Sequence, residues 1–150
     1  RWIHKHGTAG SGKRFGFVLP PKSAEGADIL AVFGSPIDAL SHAELTGTDC
    51  HRLSLAGTTP LALRQFLEME HEAGRRIDRI ELCLDNDEAG RAGMDAIEKM
   101  LSEEFWFADI EIERTPPPAG KDYNESLLAA RREEYTQQHT GRQQDGGFSL

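Results

Sequence analysis

Asp85 and Asp87 stand two residues apart behind the apolar run Ile80-Glu81-Leu82-Cys83-Leu84, and Glu88-Ala89-Gly90 opens a small-residue helix start after them. In extended chain, side chains two apart point to the same side. Both carboxylates can therefore reach one hard cation. Oxygen donors on Mg²⁺ suit chemistry on phosphates, where the ion offsets developing charge. The competing reading is a solvated, Asp-rich turn that caps the next helix.

Positioning that pair takes a strand before it and a helix behind it. The apolar run reads as a buried parallel strand ending at Asp85, and open α/β sheets take their ligands beyond the carboxyl ends of their strands. Upstream, Arg14–Leu19 reads as a short strand closed by Pro20-Pro21, and Ile29–Phe33 as a compact apolar one. Ser35 as N-cap, Pro36 at the first helical position and Asp38 three residues on open a helix that Gly47 ends. Its expected apolar side is Ile37, Leu40, Ala43 and Leu45. His51–Leu55 is the next strand, and a helix carrying Leu61, Leu63, Phe66, Leu67 and Met69 runs from Pro60 to near Gly74. The helix from Glu88 to Glu104 is expected to bury Ala92, Met94, Ala96, Ile97, Met100 and Leu101.

Asp109–Arg114 reads as a last strand, nearer a sheet edge, broken by Thr115-Pro116-Pro117-Pro118-Ala119-Gly120. A short helix over Ser126–Tyr135 follows, and the polar, Gly-rich residues 137–150 read as a disordered tail. Strands alternating with helices make an α/β fold with a mostly parallel sheet.

This order brings Asp38, the Asp85/Asp87 pair and Asp122 to one edge, each from a different crossover. Four carboxylates there repel one another unless a cation or a basic ligand lies between them. Taken singly, Asp38 is a first-turn helix residue and Asp122 a loop cap. Taken together with the pair, they outline a metal site.

Three motifs in this order carry a resemblance: Val32-Phe33-Gly34-Ser35-Pro36-Ile37-Asp38-Ala39-Leu40-Ser41, Leu84-Asp85-Asn86-Asp87-Glu88-Ala89-Gly90-Arg91-Ala92 and Gly120-Lys121-Asp122-Tyr123-Asn124-Glu125. Over Arg14 to Leu128 the chain resembles a Toprim domain, the module of primases, topoisomerases and some nucleases, and most of all the Toprim-like domains of mobile-element replication proteins, which are similar to bacterial DNA primases. The resemblance implies a Rossmann-like Toprim fold: a four-stranded, mostly parallel central sheet with helices on both faces, plus a short N-terminal strand or hairpin. With the charge and composition of the two ends, the chain is expected to divide into a basic N-terminal segment (1–13) of a longer protein, a Toprim-like domain (14–136) and the tail (137–150).

It also implies roles. Asp85 and Asp87 match the family's metal-binding pair, Asp38 the acid of the first motif, and Asp122 an acid of the third, with Asn124 where many primases carry a second Asp. Asp38, Asp85 and Asp87 would be catalytic, and with Asp122 would hold Mg²⁺ or Mn²⁺. Lys121, Lys13 and Arg14 would meet nucleic-acid phosphates. Gly34 departs from the pattern, because family members place a glutamate there as metal ligand or general acid/base. The Ser35 hydroxyl is neither an anionic ligand nor a base without activation, and Glu44 and Glu88 belong elsewhere. Losing one carboxylate weakens a Mg²⁺ site and removes a proton-transfer group.

The function implied is Mg²⁺-dependent phosphoryl or nucleotidyl transfer on nucleic acid, primase-like, in DNA replication or a mobile element, and impaired at Gly34. A second reading is a catalytically degenerate Toprim module that binds metal, nucleic acid or a replication partner. A third is a receiver-like or haloacid-dehalogenase-like phosphoacceptor with Asp85 as nucleophile. Against the latter form stands Glu88, where its pattern needs Thr or Ser. The partners expected are nucleic acid, DNA foremost, and other replication proteins or domains of the same chain.

Bulk properties set the frame. A chain of 150 residues, 38% hydrophobic and 28% charged, has the make-up of one ordinary soluble domain. It has no membrane-length apolar run and no secretory h-region, so no membrane partner is expected. Cys50 and Cys83 lack metal or disulfide spacing, which with Cys83 read as a core residue points to a reducing, cytoplasmic setting. A net charge of −8 argues against a general electrostatic grip on nucleic acid, although Arg1, His4, Lys5, His6, Lys13 and Arg14 make the first segment basic. Gly7–Arg14 nearly spells a P-loop, but Arg14 stands where a Ser or Thr hydroxyl belongs. His4 and His6 read as solvated and Trp2 as packed on the sheet. Phe105, Trp106 and Phe107 read as core, and Arg75-Arg76 and Arg131-Arg132 as solvated charges.

Overall fold

The computed structural model of the protein describes residues 16–57 and 59–148. The elements follow in the order β1 (Phe17–Leu19), β2 (Ile29–Phe33), α1 (Pro36–Thr46), β3 (His51–Ser54), α2 (Leu61–Glu72), β4 (Arg79–Leu82), α3 (Glu88–Glu103), β5 (Glu111–Arg114) and α4 (Tyr123–Phe148). They form one five-stranded sheet in the order β1-β3-β2-β4-β5. The last four strands are parallel, and β1 lies antiparallel on the edge of β3. This is the four-stranded parallel sheet with a short N-terminal strand that the motifs implied.

β2 is apolar throughout because both its faces are covered. Leu30 and Val32 join Ile80 and Leu82 of β4 in a core beneath α2 and α3. Ala31 and Phe33 face the other way, with Ala39 of α1 and Tyr123 of α4. The register pairs Val32 with both Leu53 and Leu82, so three chains leave the sheet at one level. That shared rim is where the acids lie.

α1 starts and stops where its caps dictate. Ser35 is the N-cap, its hydroxyl accepting from the Asp38 N–H at 3.4 Å. Gly47 ends the helix at φ 67°, a backbone that favours glycine. Its buried face corrects the periodicity reading. Asp38, Ala39, Ser41 and His42 are buried, whereas Ile37 and Leu40 are 55% and 47% exposed. Ala39 packs with Ala31 and Phe33 of β2, and Ser41 donates its hydroxyl to Asn124 Oδ1 of α4 at 3.3 Å. The His42 ring meets Phe33 and Tyr123 edge-on, each at 5.0 Å for the His42 pairs. His42 Nδ1 also accepts from Arg52 Nε at 3.1 Å. Counting apolar residues misses a face built of polar groups that find partners.

Three other expectations change. Trp106 is 38% exposed while Phe107 is buried, since the one-turn 3₁₀ segment Phe105–Phe107 points only one of these two rings into the core; the Phe105 side chain lies outside the described residues. In α3 the buried face is Gly90, Gly93, Met94, Ile97 and Leu101, with Ala92 and Ala96 exposed. The stretch from Gln137, expected as a disordered tail, continues α4 as helix to Phe148. Its Gln and Arg residues are good helix formers and no proline interrupts it. Lys13, Arg14, the basic segment 1–13, the P-loop-like stretch, His4, His6 and Trp2 lie outside the described residues. Among the described residues no helix is long and apolar enough to cross a membrane.

Candidate metal centre

At the carboxyl rim of the sheet a cleft of about 240 Å³ is lined by all four candidate acids, Asp38, Asp85, Asp87 and Asp122, together with Gly34 and Gly57. Asp38, Asp85 and Asp122 each bring a carboxylate oxygen within 4.8 Å of the others. They arrive from the first turn of α1, the segment after β4 and the N-terminus of α4.

Each is held in place by local chemistry. Asp38 is 4% exposed, and its carboxylate accepts from Ser35 Oγ at 2.8 Å and from the Asn124 N–H at 3.1 Å. Asp122 caps α4, accepting from the Glu125 N–H at 2.8 Å. The Asp85 loop is tied to the third motif, with the Asn86 N–H donating to the Lys121 carbonyl at 2.7 Å.

Asp87 behaves differently from its neighbour. It is the N-cap of α3, with Oδ1 accepting from the Gly90 N–H at 2.8 Å. β4 ends at Leu82 rather than Asp85, so the two-residue alternation of a strand no longer aligns the pair. Asp87→Ala is expected to lower stability by about 1 kcal/mol through the lost cap even without cation, measurable by urea denaturation in EDTA.

Gly90 lets α3 close on this loop. A Cβ there would lie 1.9 Å from the Asp85 carbonyl oxygen, a distance no side chain tolerates. Gly90→Ala is expected to cost about 3 kcal/mol and to displace Asp85. Denaturant unfolding reads the first, and loss of cation binding the second.

The electrostatics mark Asp85 as the strained member. Burial first, then the carboxylates of Asp38, Asp122 and Asp87, push its carboxyl above the ordinary aspartate range, and the Lys121 ammonium opposes them. Like charges gathered in a partly buried cleft have this effect unless a cation joins them.

A second cluster, His42, Glu81 and Cys83, also brings its donor atoms within 4.8 Å of one another. It does not suit a cation. Arg52 Nε donates to His42 Nδ1, so in the neutral ring Nε2 carries the proton and has no lone pair to give. Burial and then the Arg52 charge push the His42 pKa down to about 4, which keeps that ring neutral.

The family model described as Toprim-like matches residues 31–127, which span β2 to the first turns of α4 and all three acids of the cluster. The chain belongs to the Toprim-like family. No curated protein sequence matches it. Among solved structures, it is similar to the primase fragment of the bacteriophage T7 primase-helicase protein, with 23% identity, a TM-score of 0.48 and coverage of 75% of this chain and 44% of that one. It is also similar to a bacteriophage T7 assembly of lagging-strand DNA polymerase with primase domains, an RNA/DNA hybrid and dTTP, with 22% identity, a TM-score of 0.49 and coverage of 75% and 54%. The chain spans about half the length of these structures.

In this Toprim-like chain the site residues named from sequence fall into two groups. Asp38, Asp85 and Asp122 converge; Asp87 lines the same cleft while capping α3. Lys121 is exposed at the rim, and Asn124 turns its side-chain carbonyl to Ser41 Oγ at 3.3 Å. Sequence reasoning passed over Gly57, whose N–H donates to the Gly34 carbonyl at 3.0 Å and closes the cleft wall. Its loop carries no pattern that announces this. Gly34 lacks a positive φ, and among the described residues a Cβ there would meet only the Gly57 carbonyl oxygen, at 3.4 Å. The backbone therefore accepts a side chain at Gly34.

Proposed function

We propose that this Toprim-like chain carries a divalent-cation-dependent site for phosphoryl or nucleotidyl transfer on nucleic acid, primase-like in kind and serving DNA replication or a mobile element. The supporting observation is the meeting of Asp38, Asp85 and Asp122 oxygens within 4.8 Å. Hard oxygen donors in this number fit Mg²⁺ or Mn²⁺, with water completing the shell. Such an ion supplies charge neutralisation and orientation to a phosphate oxygen.

The chain's own groups do the rest. Ser35 Oγ and the Asn124 N–H fix the Asp38 carboxylate, the cap geometry fixes Asp122, and Lys121 offers an ammonium to a phosphate at the rim. No carboxylate occupies position 34 to hold or pass a proton. General acid–base assistance contributes about 10²–10⁴-fold, so turnover is slow.

Gly34 also favours a second reading, a module that grips cation and nucleic acid, or a replication partner, without turnover. Primer synthesis and strand nicking assayed with Mn²⁺ decide between them. Product from wild type that vanishes in Asp85→Asn supports the transferase. Cation-dependent DNA binding without product supports the module. Activity indifferent to Asp85→Asn overturns the site.

A further inference from the structure

A larger cavity, about 340 Å³, lies at the opposite rim of the sheet. Its walls come from the end of α2, the loop before β4 and the segment before β5. They include His71, Arg75, Arg76, Trp106, Ile77 and Ile110. We propose that this cavity binds one nucleotide unit, with the base against Trp106 and the phosphate on Arg75 and Arg76. This goes beyond the reading of the acidic cleft and stands independently of it.

Three features point to that ligand. Trp106 presents a partly exposed indole, tilted 53° against the His71 ring at a centroid distance of 4.8 Å. A half-buried aromatic platform beside solvent suits a base, whose face stacks whatever its edge pattern. The two guanidinia are solvent-facing, at 59% and 76% side-chain exposure, each with a carboxylate partner, Glu70 for Arg75 and Asp78 for Arg76. Arg75 is also preorganised: its Nε and Nη2 donate to Glu70 Oε2 at 3.0 and 2.7 Å, and Glu70 is 7% exposed. The buried carboxylate anchors one side of the guanidinium, so less freedom is lost when its outer edge meets a phosphate.

Size agrees, and two acids share the wall: Glu70, already paired with Arg75, and Asp109, whose carboxylate opposes a phosphate. A cavity of about 340 Å³ is at the small end for ligand sites, enough for one nucleotide and too small for a helix. The four residues of β4 span roughly 13 Å. That exceeds the screening length of about 8 Å at physiological salt, so the acidic cleft scarcely repels a phosphate here. Ile77 and Ile110 supply an apolar floor beneath the base.

The unit can come from a free nucleotide or from a single strand. The test is fluorescence anisotropy on the full chain with labelled ATP and a labelled short oligothymidylate, in EDTA so that no cation acts at the other rim. Binding of either probe is expected. Trp106→Ala and the surface variant Arg76→Glu should each weaken it about tenfold, the scale of one lost stacking or phosphate contact. ATP alone binding assigns the free nucleotide, and affinity rising with oligonucleotide length assigns the strand. No binding of either probe, or affinity unchanged in both variants, overturns the proposal. Arg76→Glu keeps the test decisive if Trp106→Ala unfolds.

Discussion

Titrating Mn²⁺ into the wild-type chain is expected to raise its melting temperature by about 5–10 °C at a hundredfold excess over the dissociation constant, and Asp85→Ala should abolish that rise. The reason is linkage: a cation that binds only the folded chain stabilises it by about 2.7 kcal/mol at that excess. The three converging oxygens exist only when the rim is assembled, because Asp38 and Asp122 are 84 residues apart in sequence. Differential scanning fluorimetry with and without EDTA checks it. An equal rise in wild type and variant, or none in wild type, removes the metal centre.

Without cation the sign reverses. The carboxyl of Asp85 is held above its ordinary range by burial and by Asp38, Asp122 and Asp87. Between the unfolded value and this raised folded value, the native state binds more protons than the unfolded one. The stabilising contribution is therefore full below the unfolded value and lost as pH rises through the folded one. In EDTA, Asp85→Asn should thus be more stable than wild type at neutral pH, and the gap should close in acid. Cation binding displaces the same proton, so the Mn²⁺ effect should grow as the pH rises through that window.

Gly34→Glu is expected to raise the rate of nucleotidyl transfer about 100-fold, on the scale of general acid–base assistance, and to tighten divalent-cation binding. The backbone at position 34 accepts a Cβ, whose only near neighbour among the described residues would be the Gly57 carbonyl at 3.4 Å. The new side chain would enter the cleft that Asp38 and Asp85 line. A fourth carboxylate adds a ligand or a proton carrier, and adds repulsion when no cation is present. The variant should therefore be less stable than wild type in EDTA and more responsive to Mn²⁺. Single-turnover primer extension measures the rate. Wild type turning over as fast as the variant would mean that proton transfer comes from elsewhere in this chain or its substrate.

Much of the frame was legible because it rests on local rules. Ile29–Phe33 is apolar at five consecutive positions and is the doubly covered β2. Ser35, Pro36 and Gly47 bound α1 as their cap chemistry requires. The buried side of α1 was not legible. Ile37 and Leu40 obey a helical period yet face solvent, while Asp38, Ser41 and His42 face inward. Their polar atoms are satisfied by Ser35, Asn124 and Arg52, partners that composition and period do not reveal. Trp106 fails for a similar reason, since a one-turn segment can bury one ring and leave its neighbour at a cavity mouth.

What the sequence determined by itself was the set of acids and the rim they occupy. Strand periodicity, caps and Gly-Pro punctuation act over a few residues, so they place Asp38 at the start of α1 and Asp85 just past β4. Which of the acids share a point in space was decided only by the tertiary structure. That choice depends on the strand order β3-β2-β4-β5 and on α4 packing beside α1, contacts between segments far apart in the chain. Asp87 shows the difference: two residues from Asp85, it spends an oxygen on its own helix, while Asp122, 37 residues from Asp85, meets it across the cleft.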